Sequence, residues 1–300
     1  MSGGQSPRLG RYGHVWGTVP RDLSLAGVRA GAVSRTVPWT AAGRRPALLE
    51  SPAVADRDAI LEYAAELLDL GAFDDYGPMG MQVAGAREVR KVAAGVSASL
   101  ELFERAAAAE AQLLVVHHGL FWNNDSRVVD ERMRRRLEAL FAADLTLAAY
   151  HLALDAHPEV GNNALLARAL GIDVDATFAG IGVGGRLREP CPAGGLASRA
   201  RDVLARDPLV FAHGPARIER VAVVTGGGGK YLVDAAREGY DAFVTGEPEE
   251  PSLHTAKELG LHFLAAGHYA TERLGVQALT RHVAERFGLE WEFIEIPNPV

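Results

Sequence analysis

Four consecutive aliphatic residues, Leu113-Leu114-Val115-Val116, run straight into His117-His118-Gly119. So short and unbroken an apolar run reads as a strand buried on both faces. Open α/β sheets place their chemistry outside the carboxyl ends of such strands, which is where this histidine pair stands. Neutral imidazole is the commonest protein metal ligand. Successive strand residues point to opposite faces, so both rings reach one site only if the strand ends or bends there. Gly119 lacks a Cβ and permits that. Taken alone, the pair reads equally well as two partly buried, hydrogen-bonded histidines.

The same arrangement recurs. Leu145-Thr146-Leu147-Ala148-Ala149-Tyr150 is a second apolar strand, and it delivers His151 and then Asp155. Asp241 to Thr245 is a third, followed by Gly246 and Glu247. Leu261 to Ala266 is a fourth, followed by Gly267, His268 and, at helical spacing, Glu272. Thr271 is expected to cap the helix that follows, whose core face is Val276, Leu279, Val283 and Phe287. Strands that repeatedly end in His or an acid fit one shared polar site. His117, His118, Asp155, His268 and Glu272 make a set of three imidazoles and two carboxylates. Five such donors exceed what one structural zinc needs and suit two nearby ions with a bridging carboxylate. Mixed imidazole and carboxylate ligands admit Fe, Mn, Zn, Co or Ni. His157, beside Pro158, and His262 read as bystanders. Asn162 and Asn163 read as a helix cap without chemistry.

Composition narrows the partners. A formal net charge of -7 opposes a general nucleic-acid binder, which needs a concentrated positive surface. The arginines of 132–136 alternate with acids and read as a solvated helix face. No apolar run approaches the roughly 18 residues of a membrane helix. The single cysteine, Cys191, excludes an internal disulfide and any cysteine-rich metal site, and fits a reducing cytoplasm. The expected partner is a small molecule or a metal. Residues 1–55 carry Arg8, Arg11, Arg21, Arg29, Arg35, Arg44 and Arg45 among Gly, Pro, Ser and Thr without periodicity, and read as a disordered extension. A flexible tail or a start assigned too far upstream gives the same pattern. From Asp56 onward, strands and helices alternate as in an α/β chain, with a β-α-β unit leading into the Leu113 strand. Thr225-Gly226-Gly227-Gly228-Gly229-Lys230 lacks the spacing of a Walker loop and reads first as a tight strand-to-helix turn, although its amides suit an anion.

The segments Val115–Trp122 (VVHHGLFW), Tyr150–Ala167 (YHLALDAHPEVGNNALLA), Thr225–Leu232 (TGGGGKYL), Thr245–Gly275 and Ile294–Pro299 (IEIPNP) resemble the NIF-three-like proteins. This dinuclear-metal hexameric family is labelled GTP cyclohydrolase I type 2 homologues. The resemblance runs from about Asp56 to Pro299, and its HHG and GHYATE motifs are specific. It implies metal ligands at His117, His118, Asp155, His268 and Glu272, without departure at any of them, and two divalent ions per chain. It implies an α/β fold of two lobes facing each other across that site, 56–151 with 275–300 and 152–274. It also implies a toroidal homohexamer and ring-opening hydrolysis of a purine nucleotide. Glu247, His254 or His151 would then shuttle protons. The rival reading is a protein that stores, delivers or inserts metal without turnover.

Overall fold

The computed structural model describes residues 53–300. The expected disordered extension, but for its last three residues, lies outside them. The described chain opens with a two-residue strand, β1 (Ala55–Asp56). Asp56 caps helix α1 (Arg57–Leu67), its carboxylate accepting from the Asp58 and Ala59 amides. There follow β2 (Gly80–Val83), β3 (Glu88–Val89), β4 (Lys91–Ser97), α2 (Leu100–Ala108), β5 (Leu113–His118), α3 (Glu131–Ala142) and β6 (Thr146–Ala149). The Ser99 hydroxyl caps α2 and the Asp130 carboxylate caps α3. These short oxygen acceptors meet amides that the first helical turn leaves unpaired. β1 pairs only with β3.

A five-stranded sheet runs in the order β13-β4-β5-β6-β2, where β13 is the last strand of the chain (Glu290–Phe293). β13, β4, β5 and β6 are parallel, while β2 joins antiparallel at the edge. Strand alternation divides its core in two. Val92, Ala94, Leu113, Val115 and Ala148 face Ile60 and Ala64 of α1. Ala93, Leu114, Val116, Leu147 and Ala149 face Leu102 and Phe103 of α2 and Leu140 of α3. Both faces are covered, so the expected apolar runs of β4 and β5 follow from the architecture.

Two helices, α4 (Leu152–Ala156) and α5 (Asn162–Ala169), lead into β7 (Ile172–Phe178), β8 (Gly182–Cys191), α6 (Ala193–Leu204), β9 (Leu209–Ala212) and β10 (Ile218–Val224). Then come α7 (Leu232–Arg237), β11 (Ala242–Thr245), α8 (Ser252–Leu259), β12 (His262–Ala265) and α9 (His268–Phe287). The second sheet has six strands in the order β7-β8-β10-β11-β12-β9. Its centre, β10-β11-β12, is parallel. Val221, Val223, Ala242, Val244 and Leu264 pack on one face with α5 and α6, and Ala222, Val224, Phe243 and Phe263 on the other with α7 and α8.

Helix α9 ties the two cores together. Its first turns contribute Ala270 to the core of the six-stranded sheet, and Val276, Leu279 and Val283 pack into that of the five-stranded one. Its N-cap is Gly267 at φ 96°, so the helix starts at His268 and Thr271 is not its cap as expected. The Thr271 hydroxyl instead donates to the Gly267 carbonyl and accepts from the Gly226 amide. α5 likewise departs from expectation: Gly161 is its N-cap, and Asn162 and Asn163 lie buried within its first turn. Among the described residues, no helix is long and apolar enough to cross a membrane.

Candidate metal centre

β5 ends at His118, and both of its histidines reach one carboxylate although they leave the strand on opposite faces. His117 Nε2 lies 3.5 Å from Glu272 Oε1, and His118 Nε2 lies 3.1 Å from Glu272 Oε2. Glu272 sits one turn into α9, so it enters between the two rings from the helix. His268, the first residue of α9, places Nε2 3.0 Å from the same Oε2, as four-residue helical spacing allows. Asp155, on α4 just past β6, lies 3.5 Å from His117 Nε2. The five residues expected to act together therefore do meet. Two groups emerge whose donor atoms lie within 4.8 Å of one another, His118 with His268 and Glu272, and His117 with Asp155 and Glu272, sharing Glu272. His151 completes a third group with His117 and His118.

The outer ring nitrogens are all engaged elsewhere. His117 Nδ1 is 2.9 Å from the Tyr150 carbonyl, His118 Nδ1 3.1 Å from Ser97 Oγ, His268 Nδ1 2.7 Å from Glu247 Oε1 and His151 Nδ1 2.7 Å from Asp75 Oδ1. A carbonyl or carboxylate partner fixes the proton on Nδ1 and leaves the Nε2 lone pair for a metal. Among the described residues, the buried His117 Nε2 and Glu272 Oε2 have no hydrogen-bond partner, although Nε2 atoms surround that oxygen. Unpartnered buried acceptors that converge are costly unless a cation fills the space between them. The donor set therefore fits divalent metal.

The electrostatics agree. Burial works against charge on His117, but Asp155 and Glu272 outweigh it and lift the imidazole to about 9. Burial likewise opposes charge on His268, and Glu272 and Glu247 raise it to about 9. Burial would raise Glu272, yet His117 and His118 hold it well below the carboxylate range. Burial pushes Asp155 up and His118 down. Protons on His117 and His268 thus occupy the place that cations would take.

Three residues to which sequence reasoning assigns no chemistry position this set. Asn162 donates to Asp155 Oδ1 at 2.8 Å and accepts from the Gly275 amide of α9 at 2.6 Å. Asn163 donates to the Asp155 and Ile181 carbonyls and accepts from the Thr225 amide at 2.7 Å. An asparagine pair at the start of a helix imitates a cap, which hides this role in the sequence. Asp75, in the turn before β2, holds His151 and accepts from the Leu152 amide at 2.8 Å. No motif marks it. Of the residues expected to move protons, His151 lines the cavity beside the cluster, Glu247 is bound to His268, and His254 lies exposed on α8 outside that cavity. The two expected bystanders are fixed elsewhere: His262 bonds the Gly214 amide and the Pro215 carbonyl, and His157 accepts from the Glu159 and Val160 amides.

A cavity of about 720 Å³ opens onto the cluster. His118, Asp155, His268 and Glu272 line it, together with Tyr76, Tyr231 and Lys230.

A family model described as Duf34/NIF3 (NGG1p interacting factor 3) matches residues 55–299. A protein of Salmonella typhimurium named "GTP cyclohydrolase 1 type 2 homolog" is 47% identical over 233 residues, which cover 77% of this chain and 94% of that one. A solved structure titled "Structural genomics, protein ybgI, unknown function" aligns with TM-score 0.80 and 44% identity, covering 82% of this chain and 100% of the other. The crystal structure of TTHA1606 from Thermus thermophilus aligns with TM-score 0.77 and 42% identity over the same shares.

Proposed function

Because this chain belongs to the Duf34/NIF3 (NGG1p interacting factor 3) family, we propose that it holds two divalent ions at His117, His118, Asp155, His268 and Glu272 and uses them to hydrolyse a nucleotide or related small molecule. The observation that carries this is the sharing of Glu272 between two donor groups around unpartnered buried acceptors. A carboxylate with one oxygen toward each group is the bridge a metal pair needs. In this reading the ligands come from both lobes, His117 and His118 from 56–151 with 275–300, the others from 152–274.

Divalent ions there supply Lewis acidity and make water more acidic near neutral pH. The chain's own residues do the rest. Glu247 fixes the tautomer of His268, and Tyr150 that of His117. His151, held by Asp75 at the cavity wall, is the group placed to move a proton. A cavity of about 720 Å³ favours turnover over storage, because storage requires no room for a substrate. The resemblance supports a homohexameric ring, and the lone cysteine supports a reducing cytoplasm.

The test is hydrolysis of GTP and other nucleotides by metal-loaded protein and by the His151→Gln variant. Turnover that falls at least tenfold in the variant at unchanged metal content supports the reading. Full metal content without turnover on any nucleotide would leave a storage, delivery or insertion protein.

A further inference from the structure

The cavity is also lined by residues that the metal centre does not use. Lys230 is the one lysine or arginine lining it, and among the described residues it has no ion-pair partner. Its amine lies 5.1 Å from the Tyr231 ring centroid and 5.9 Å from that of Tyr76, and 3.4 Å from the Tyr76 hydroxyl. An ammonium has three donors, and its neighbours here offer phenol oxygens rather than an anion. The backbone that carries Tyr76 is held in place. The Asp75 carboxylate accepts from the Tyr76 amide at 2.6 Å, and the Tyr76 carbonyl accepts from the Asn123 amide at 2.7 Å. Trp122, nearer the cluster, stands edge-on to His151 at 5.2 Å. One water occupies about 30 Å³, so ions and their waters alone leave most of this space for a ligand of drug or nucleotide size.

We propose that Lys230 is a specificity-determining residue that binds an oxyanionic group of the ligand, while Tyr76, Trp122 and Tyr231 receive a planar unsaturated portion between that anion and the metal cluster. The ligand class is therefore a small aromatic oxyanion, phosphate ester or carboxylate. Two arguments lead there. An ammonium flanked by aromatic faces and lacking a carboxylate partner attracts an anion that completes its hydrogen bonds. Pre-positioned aromatic walls reward flat ligands at low ordering cost. The assignment of the cluster as the reacting end rests on the function proposed above; the assignment of Lys230 does not.

Saturation-transfer NMR with phenyl phosphate, benzoate, benzyl alcohol and inorganic phosphate tests it, on the full chain as purified and after chelator treatment. Phenyl phosphate or benzoate is expected to bind about tenfold more tightly than benzyl alcohol, in both states of the protein. Whichever of the two binds better tells a phosphate site from a carboxylate site. Lys230→Met should abolish that preference, keep benzyl alcohol binding and keep the metal content, and Lys230→Arg should restore part of it. Tyr76→Leu should weaken both ring-bearing probes and leave inorganic phosphate unchanged. Anion preference that survives Lys230→Met, or equal binding of charged and neutral probes, would overturn the proposal. A wild type that takes up no divalent metal and yet shows Lys230-dependent binding would remove the metal reading and leave this one standing.

Discussion

Asp155 shows how much a single buried carboxylate depends on its neighbours. Its Oδ1 accepts from Asn162, whose own carbonyl oxygen accepts from Gly275 of α9. Asn162→Ala would remove the carbonyl oxygen that Gly275 N–H donates to and free Asp155 to rotate, costing about 0.5–1.5 kcal/mol of stability per lost hydrogen bond. Loss of such an orienting partner lowers metal affinity by about 10–100-fold. Equilibrium dialysis at a series of free metal concentrations reads the second effect, and thermal melts read the first. Unchanged metal affinity in Asn162→Ala would mean that Asp155 needs no help to face the cluster.

The imidazoles give a pH signature. The folded-state values of His117 and His268, about 9, lie above the ordinary 6.5. In metal-free protein their contribution to stability is fully present below about 6.5 and is lost as pH rises through about 9. The raised Asp155 acts with the same sign at lower pH, and the depressed Glu272 loses its contribution only on acidification. Chelated protein should therefore melt at a lower temperature at pH 9 than at pH 6.5. Metal-loaded protein should show much less of this loss, since cations replace the protons. Equal slopes with and without metal would show that the imidazoles face no metal site.

At the scale of elements, the turn from β10 into the glycine run is tightly constrained. Gly226 has φ 62°, and a Cβ there would strike Glu272 Oε1. Gly226→Ala combines left-handed strain, about 1 kcal/mol, with displacement of the shared carboxylate. It should lower metal content, as measured by elemental analysis, while circular dichroism stays close to wild type. What the sequence made legible follows from the same physics. Both-face burial wrote β5, β6, β11 and β12 as apolar runs. β7 escaped because its middle five residues are exposed, so no burial pattern marks it. β9 escaped as a short edge strand with no buried residue. The five-residue donor set was legible because each member lies at or shortly past the carboxyl end of a strand. Asn162, Asn163 and Asp75 were not, because their partners lie 7 to 113 positions away in sequence or in a turn without a motif. Thr271 imitates a cap for a related reason: a glycine at positive φ caps the helix four residues earlier.

On the scale of the whole molecule, α9 begins in the candidate metal centre and runs through both cores, so the site is made only when the two sheets are docked. Metal binding should then stabilise the assembled fold as a unit, with a single melting transition that shifts upward with metal concentration. The resemblance to a ring-forming family predicts a homohexamer, and light scattering should give about six times the 32.0 kDa of one chain. A monomer at micromolar concentration would refute that assembly. The central claim is the metal pair shared through Glu272, and elemental analysis of purified, metal-saturated protein tests it most directly. Wild type and His157→Ala should carry about two divalent ions per chain, and Glu272→Ala and Asp155→Ala distinctly fewer, because a cation pair without its carboxylates is self-repelling. Equal metal content in all four proteins, or no metal in the wild type, would contradict it.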